Sequence, residues 1–139
     1  MTPEAHLAIV RHWIQMAEAG FIGDFTEVFS TNYAGHLAGR IHLDLEALKQ
    51  TELGFGVSFT GTTRVIDELW ASGDRAVMRI TTRAHHTGDF RGLAATGRAI
   101  VFTAIVIYRF ENGKIAESWT ELDLAGLLQQ LTPAVAGTT

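Results

Sequence analysis

The chain is predicted to fold as an α+β layer protein, with helices first and an antiparallel sheet after them. Apolar residues recur at helical spacing as far as Leu48 and alternate at strand spacing from residue 60 onward. Turn signals punctuate the second half, the strongest being Asn112-Gly113. With 139 residues, 47% of them apolar, the chain is long enough for one core. A domain of that size buries roughly two thirds of its unfolded surface.

The elements follow in order. Thr2 is placed to cap a helix that opens on Pro3 and carries Glu4 near the positive end of its dipole. Leu7, Val10, Ile14 and Ala17 form the buried stripe of that helix, and Gly20 ends it. Asp24 is expected to begin a second helix: Glu27 completes a capping-box pattern, and Phe25, Val28 and Phe29 turn inward. Tyr33 to His36 reads as a short extended connection. Asp44 then caps a third helix through Gln50, with Leu45 and Leu48 inward.

From residue 60 the period is that of strands. Arg64 to Ala71 alternates, and Ser72-Gly73-Asp74 turns the chain into a second strand, Arg75 to His86. Thr87 to Arg98 is a loop holding three glycines. Ala99 to Phe110 is a long strand, the Asn112-Gly113 turn follows, and Lys114 to Glu121 returns antiparallel before a closing helix, Leu124 to Leu131. Residues 1–131 are expected to be a single domain and 132–139 a flexible tail. Ile100 to Tyr108 is apolar on both faces, so its outer face also wants cover; a homodimer through that face is the expected solution.

Composition excludes several function classes. The net charge is −4 and the 11 basic residues are scattered, which argues against nucleic acid as a partner. Cysteine is absent, so disulfides and thiolate chemistry are excluded. No apolar stretch approaches the length of a membrane span, and the opening Met-Thr-Pro-Glu lacks the features of a signal peptide. No membrane partner is expected, and the cytoplasm is the expected compartment.

The residues able to carry chemistry concentrate late in the chain. Glu117, Trp119 and Glu121 share one face of their strand, and Asp123 stands where the strand gives way to the last helix. Spacing leaves Asp123 two roles. It can accept hydrogen bonds from the amides of Ala125 or Gly126 as a helix cap, or it can open beside Trp119 into an apolar cavity and exchange protons there. His85 and His86 are adjacent on a strand and point to opposite faces, so they cannot share an ion, and no metal site is expected. Arg79 and Arg83 flank Thr81 on one face, which reads as a solvated row; an arginine–carboxylate pair that positions water is the sharper alternative. The glycines of residues 87–98 precede a strand and lack the lysine of a phosphate-binding loop, so they are expected to shape turns at a cavity rim. No Gly-x-Ser-x-Gly elbow is present.

The segments His86-Thr87-Gly88-Asp89-Phe90-Arg91-Gly92, Ala95-Thr96-Gly97-Arg98, Tyr108-Arg109-Phe110, Asn112-Gly113-Lys114-Ile115, Glu117-Ser118-Trp119, Asp123 and Gln130-Leu131 follow one another in a recognisable order. Through them the chain resembles the SnoaL-like polyketide cyclases, over nearly its whole length and most specifically from His86 onward. Helices before the sheet, and Tyr33 to His36 after the second of them, fit as well. The resemblance implies a cone-shaped α+β barrel of the ketosteroid isomerase type. Three N-terminal helices would pack on a curved, mostly antiparallel sheet, with a short C-terminal helix and an apolar pocket.

It also implies a cofactor-free, homodimeric enzyme that closes a ring on a hydrophobic polyketide-like molecule by an aldol reaction. Asp123 falls on the family's acid/base, and His36, His86 or Trp119 would donate to the oxyanion or orient the substrate. Trp119, Tyr33, Glu117, Phe102 and Trp13 would meet the substrate. The strand Ala99 to Phe110 holds no histidine, which leaves the oxyanion partner of Asp123 unassigned. A hydrolase using a positioned water, such as an epoxide hydrolase, and a non-catalytic binder of small apolar molecules are the alternatives.

Overall fold

Cap and turn residues set where most elements begin and end in the computed structural model, which describes residues 1–132. Helix α1 spans Pro3–Glu18, its N-terminus capped by the Thr2 hydroxyl, which accepts from Ala5 N at 3.1 Å. Phe21 N donates back to Met16 O at 2.8 Å beyond its end. Asp24 does cap, accepting from Thr26 N, but it opens a single 3₁₀ turn, Phe25–Glu27, instead of the expected second helix. The physical reason is tertiary. Ile115 N donates to Val28 O, and strand β1 (Phe29–Leu37) pairs in parallel with the last strand, so extended backbone displaces local helical preference. Tyr33 to His36 therefore lies within a strand and is no mere connection.

Strand β2 is Ile41–Leu43 and helix α2 is Leu45–Ser58, capped by Asp44 through Ala47 N at 2.8 Å. This helix runs eight residues past the expected end at Gln50, because Gly54 and Gly56 keep negative φ and continue the turn. Phe55 between them packs on Phe59 and Phe102 and offsets the propensity that two glycines lose. Strands β3 (Phe59–Ser72), β4 (Arg75–His86), β5 (Ala99–Glu111) and β6 (Lys114–Leu122) follow, then helix α3 (Leu124–Leu131). Asn112 and Gly113, at φ +49° and +76°, form the β5–β6 turn with the left-handed backbone that such hairpins require. Of the expected tail 132–139, residues 133–139 lie outside the described residues.

The six strands form one sheet in the order β2-β1-β6-β5-β4-β3. All pairs are antiparallel except β1 with β6. Register shifts interrupt β3 between Thr60 and Thr63 and between Ile66 and Glu68, and β5–β6 between Arg109 and Phe110. Such irregularities bend strands, which curves the sheet into an open cone instead of a closed barrel. Helices α1, α2 and α3 cover its concave side.

The alternating burial of β4 and β5 separates the two faces. Met78, Ile80, Ala104, Val106 and Tyr108 point into the core, whereas Val101, Ile105 and Ile107 are exposed on the outer face. One core cluster gathers Trp13, Phe21, Phe25, Phe29 and Tyr33 against β4–β6. A second joins Phe59, Ala84, Ile100, Leu127 and Leu131 beneath α3. Each fully buried large side chain in them contributes about 1.5–3 kcal/mol relative to an exposed one.

Candidate active site

Between α1, α2 and the concave face lies a cavity of about 420 Å³. Its wall is mainly apolar, with Trp13, Phe29, Phe55, Phe102 and Leu127 contributing. Glu52 is the only carboxylate among the described residues that line it. The hydroxyls of Tyr33, Tyr108, Ser118, Thr51, Thr82 and Thr120, the His36 imidazole and the guanidinium groups of Arg64 and Arg91 add to the polar content.

Helix α2 delivers Glu52 to that wall because Leu45, Leu48, Glu52 and Phe55 fall on one helical stripe. A carboxylate occupies the position where the stripe calls for an apolar side chain. The low-dielectric surroundings penalise its charge and push it up to about 7, while the nearby Arg64 pulls the other way. Glu52 is half-buried by accessible area. It lines the cavity, so its carboxylate borders open space while its surroundings stay apolar.

Tyr33 and Ser118 share a hydrogen bond of 2.6 Å inside the cavity, bridging neighbouring strands β1 and β6. Burial raises the Tyr33 hydroxyl above its ordinary range, the Ser118 bond opposes that, and the charge of Glu52 adds to it. Tyr108 is also raised, first by burial and then by Tyr33 and Glu52. Both phenols therefore stay protonated at neutral pH, and in the Tyr33–Ser118 bond either oxygen can be the donor. Among the described residues Arg64 makes one hydrogen bond, Nη1 to the Ala17 carbonyl at 3.4 Å, and its guanidinium lies 5.4 Å from the Phe21 ring centroid.

The residues singled out from sequence divide between the cavity and elsewhere. Tyr33, Phe102 and Trp13 line it. Asp123 is exposed and accepts from Gly126 N at 2.9 Å as the N-cap of α3. It does not line the cavity, although Leu122 and Leu124 on either side of it do. Glu117 and Trp119 alternate with the lining residues Ser118 and Thr120 and so project from the outer face. The strand phase that groups Glu117, Trp119 and Glu121 holds; the face it selects is the convex one.

His36 touches the cavity rim, but its ring stacks on Trp119 at 5.5 Å and bonds Glu117 Oε2 at 2.7 Å on that outer side. The His36 bond first, and Arg109 after it, hold Glu117 below the ordinary carboxylate range. His86 is fully buried outside the cavity, beside Phe59. Its Nδ1 accepts from Thr96 N at 3.2 Å, which leaves the proton on Nε2, and that atom has no partner among the described residues.

Arg79 pairs with Glu68 at 2.8 Å and Asp67 at 3.5 Å on the exposed face, so its carboxylate partners come from β3 and lie away from the cavity. Among the described residues no group of three or more His, Asp or Glu side chains is placed to hold a metal ion.

Sequence reading missed Glu52, Arg64, Tyr108 and Ser118. The first had a signal: continuing the Leu45–Leu48 stripe past Gln50 puts a charged residue at its next position. The others depend on which face of each strand turns inward, which alternation alone does not choose.

A sequence model of the family described as SnoaL-like polyketide cyclase matches residues 8–131. Among curated proteins no match was found. The fold is similar to that of AclR from Streptomyces galilaeus, named a candidate hydroxylase, at 20% identity over 95% of this chain and 100% of that one, with a TM-score of 0.86. It is also similar to a candidate SnoaL-like polyketide cyclase from Jannaschia sp. CCS1, at 12% identity over 96% and 95% and a TM-score of 0.85. A third similar structure is IdmH from Streptomyces antibioticus, a candidate polyketide cyclase, at 25% identity over 88% and 97% and a TM-score of 0.72.

Proposed function

The chain belongs to the SnoaL-like polyketide cyclase family, and from that premise we propose that it is a cofactor-independent cyclase using Glu52 as its acid/base. The observation that carries this reading is the placement of a single carboxylate, pushed up to about 7, in the wall of an apolar cavity. A general base works best when its pKa lies near the operating pH, and Glu52 meets that condition.

In an aldol closure Glu52 removes a proton from the carbon beside a substrate carbonyl. The resulting enolate carbon attacks a second carbonyl, forming the ring C–C bond. The new alkoxide then takes a proton back, returning Glu52 to its ionised form. Tyr33, held against Ser118, and Tyr108 are hydroxyl donors in the same cavity and support the role of stabilising the enolate or alkoxide oxygen.

The test is the conversion of an aromatic polyketide ester by Glu52→Gln and Asp123→Asn variants side by side. Loss of a base contributes about 10²–10⁴-fold, so Glu52→Gln should lose that much and Asp123→Asn should stay within about tenfold. The reverse pattern assigns the chemistry to Asp123, next to the cavity-lining Leu122 and Leu124. Full activity in both variants takes both carboxylates out of the chemistry, and no conversion by the wild-type protein makes the cavity a binding site only. A hydrolase is the second reading, favoured by the charge of Arg64 acting on Glu52, because such a pair can orient a water molecule. Incorporation of ¹⁸O from labelled water into the product distinguishes it.

A further inference from the structure

We propose that Arg64 is an anion-recognising residue of the cavity, and that the natural ligand is an apolar molecule carrying a carboxylate or an equally acidic enol. This deepens the reading of the cavity as a substrate site and rests on it.

Arg64 lines the cavity and is half-buried. Among the described residues no carboxylate lies within ion-pair distance of it. Of the five N–H donors of a guanidinium, one is engaged, across a long 3.4 Å, by the Ala17 carbonyl. A partly desolvated arginine whose fork is open gains most from a planar, bidentate oxygen pair, which a carboxylate supplies.

Its setting fixes where the cation sits. The guanidinium carbon lies over the Phe21 ring, 5.4 Å from its centroid, and Phe21 is itself part of the cavity wall, so a cation–π contact keeps the charge beside the cavity. Phe21 adopts φ +60°, a backbone conformation costly for a bulky residue, and Phe21 N is tied to Met16 O to keep it. The rest of the charge facing the cavity is Glu52, Arg91 and the rim residue His36. Arg91 is exposed and has water to solvate it, so Arg64 is the stronger partner for an anion.

The test uses two unreactive probes of one shape, 2-naphthoate and 2-naphthamide, titrated by calorimetry at pH 6. Glu52 is then largely protonated and does not repel the anion. The wild-type protein should bind naphthoate at least about tenfold more tightly than the amide. Arg64→Gln should erase that preference while still binding the amide, which shows the cavity intact, and Arg64→Lys should keep part of it. Arg91→Gln and Glu52→Gln should both retain the preference. Since neither probe reacts, failure of Glu52 as the acid/base would leave these results unchanged. Equal binding of the two probes, binding of neither, or a preference that survives Arg64→Gln and is lost in Arg91→Gln overturns the proposal.

Discussion

Glu52 combines two properties that are usually separate, the charge of a surface residue and the position of a core one. Its folded-state pKa, about 7, lies above the ordinary value of 4.5, so the folded chain holds more protons than the unfolded one between those pH values. Stability from this group is therefore highest below pH 4.5 and falls as pH rises through the window. A shift of this size in a water-accessible cavity corresponds to about 1–3 kcal/mol. Glu52→Gln should remove that slope and make the protein more stable than wild type at pH 8, as measured by urea unfolding at several pH values. In the active enzyme kcat/KM should rise with a midpoint near 7 if Glu52 is the base, and a profile with no titration there would count against it. The same residue shows why the sequence drew attention to Asp123, for which spacing left both cap and acid/base open and the family resemblance implied the acid/base. An aspartate before an apolar helix is conspicuous, and Asp123 does cap that helix, whereas Glu52 is conspicuous only once its helix is known to continue past Gln50.

At the scale of elements, α2 and the loop of residues 87–98 share one joint at the cavity mouth. Thr87 N and Gly88 N both donate to Ser58 O, the Ser58 hydroxyl donates to Asp89 O, and Phe90 and Arg91 line the cavity. A Cβ at Gly88 would overlap the Val57 carbonyl oxygen, backbone that has no room to yield. Gly88→Ala should therefore displace the loop, cost about 1–3 kcal/mol and weaken naphthoate binding. An unchanged melting temperature would refute the tight packing. On the outer face, Glu117 joins β1 through His36 and β5 through Arg109. Its lowered pKa means that the stability it lends is present above pH 4.5 and lost as pH falls further. Glu117→Gln should flatten acid unfolding below pH 4.5 and leave turnover intact, whereas a large loss of turnover would return Glu117 to the site. The boundaries of β4 and α3 were legible because turn glycines and an Asp cap mark them. The segment after Asp24 was not, since the pairing of β1 with β6 joins residues more than 80 positions apart.

For the whole molecule, the change of period near residue 60 was enough to predict helices over an antiparallel sheet, because each layer's pattern follows from one buried face, whereas the curvature of the sheet was implied only by the family resemblance. Which face is the concave one was not legible, and that choice separates the cavity residues Tyr33, Trp13 and Phe102 from Trp119 and Glu117 on the other side. The convex face leaves Trp70, Val65, Val101, Ile105 and Ile107 exposed, with Trp70 at 55% and Ile105 at 49%. We propose that a second copy covers this apolar row. Sedimentation should then give a dimer at micromolar concentration, and Ile105→Lys should shift it to monomer; a wild-type monomer would refute the interface. In the interior, the state of Glu52 is read by following its side-chain carboxyl carbon by ¹³C NMR across a pH titration, with Glu52→Gln used to assign the signal. A midpoint near 7 is expected, and a midpoint near 4.5 would rule Glu52 out as a group poised for proton transfer at neutral pH.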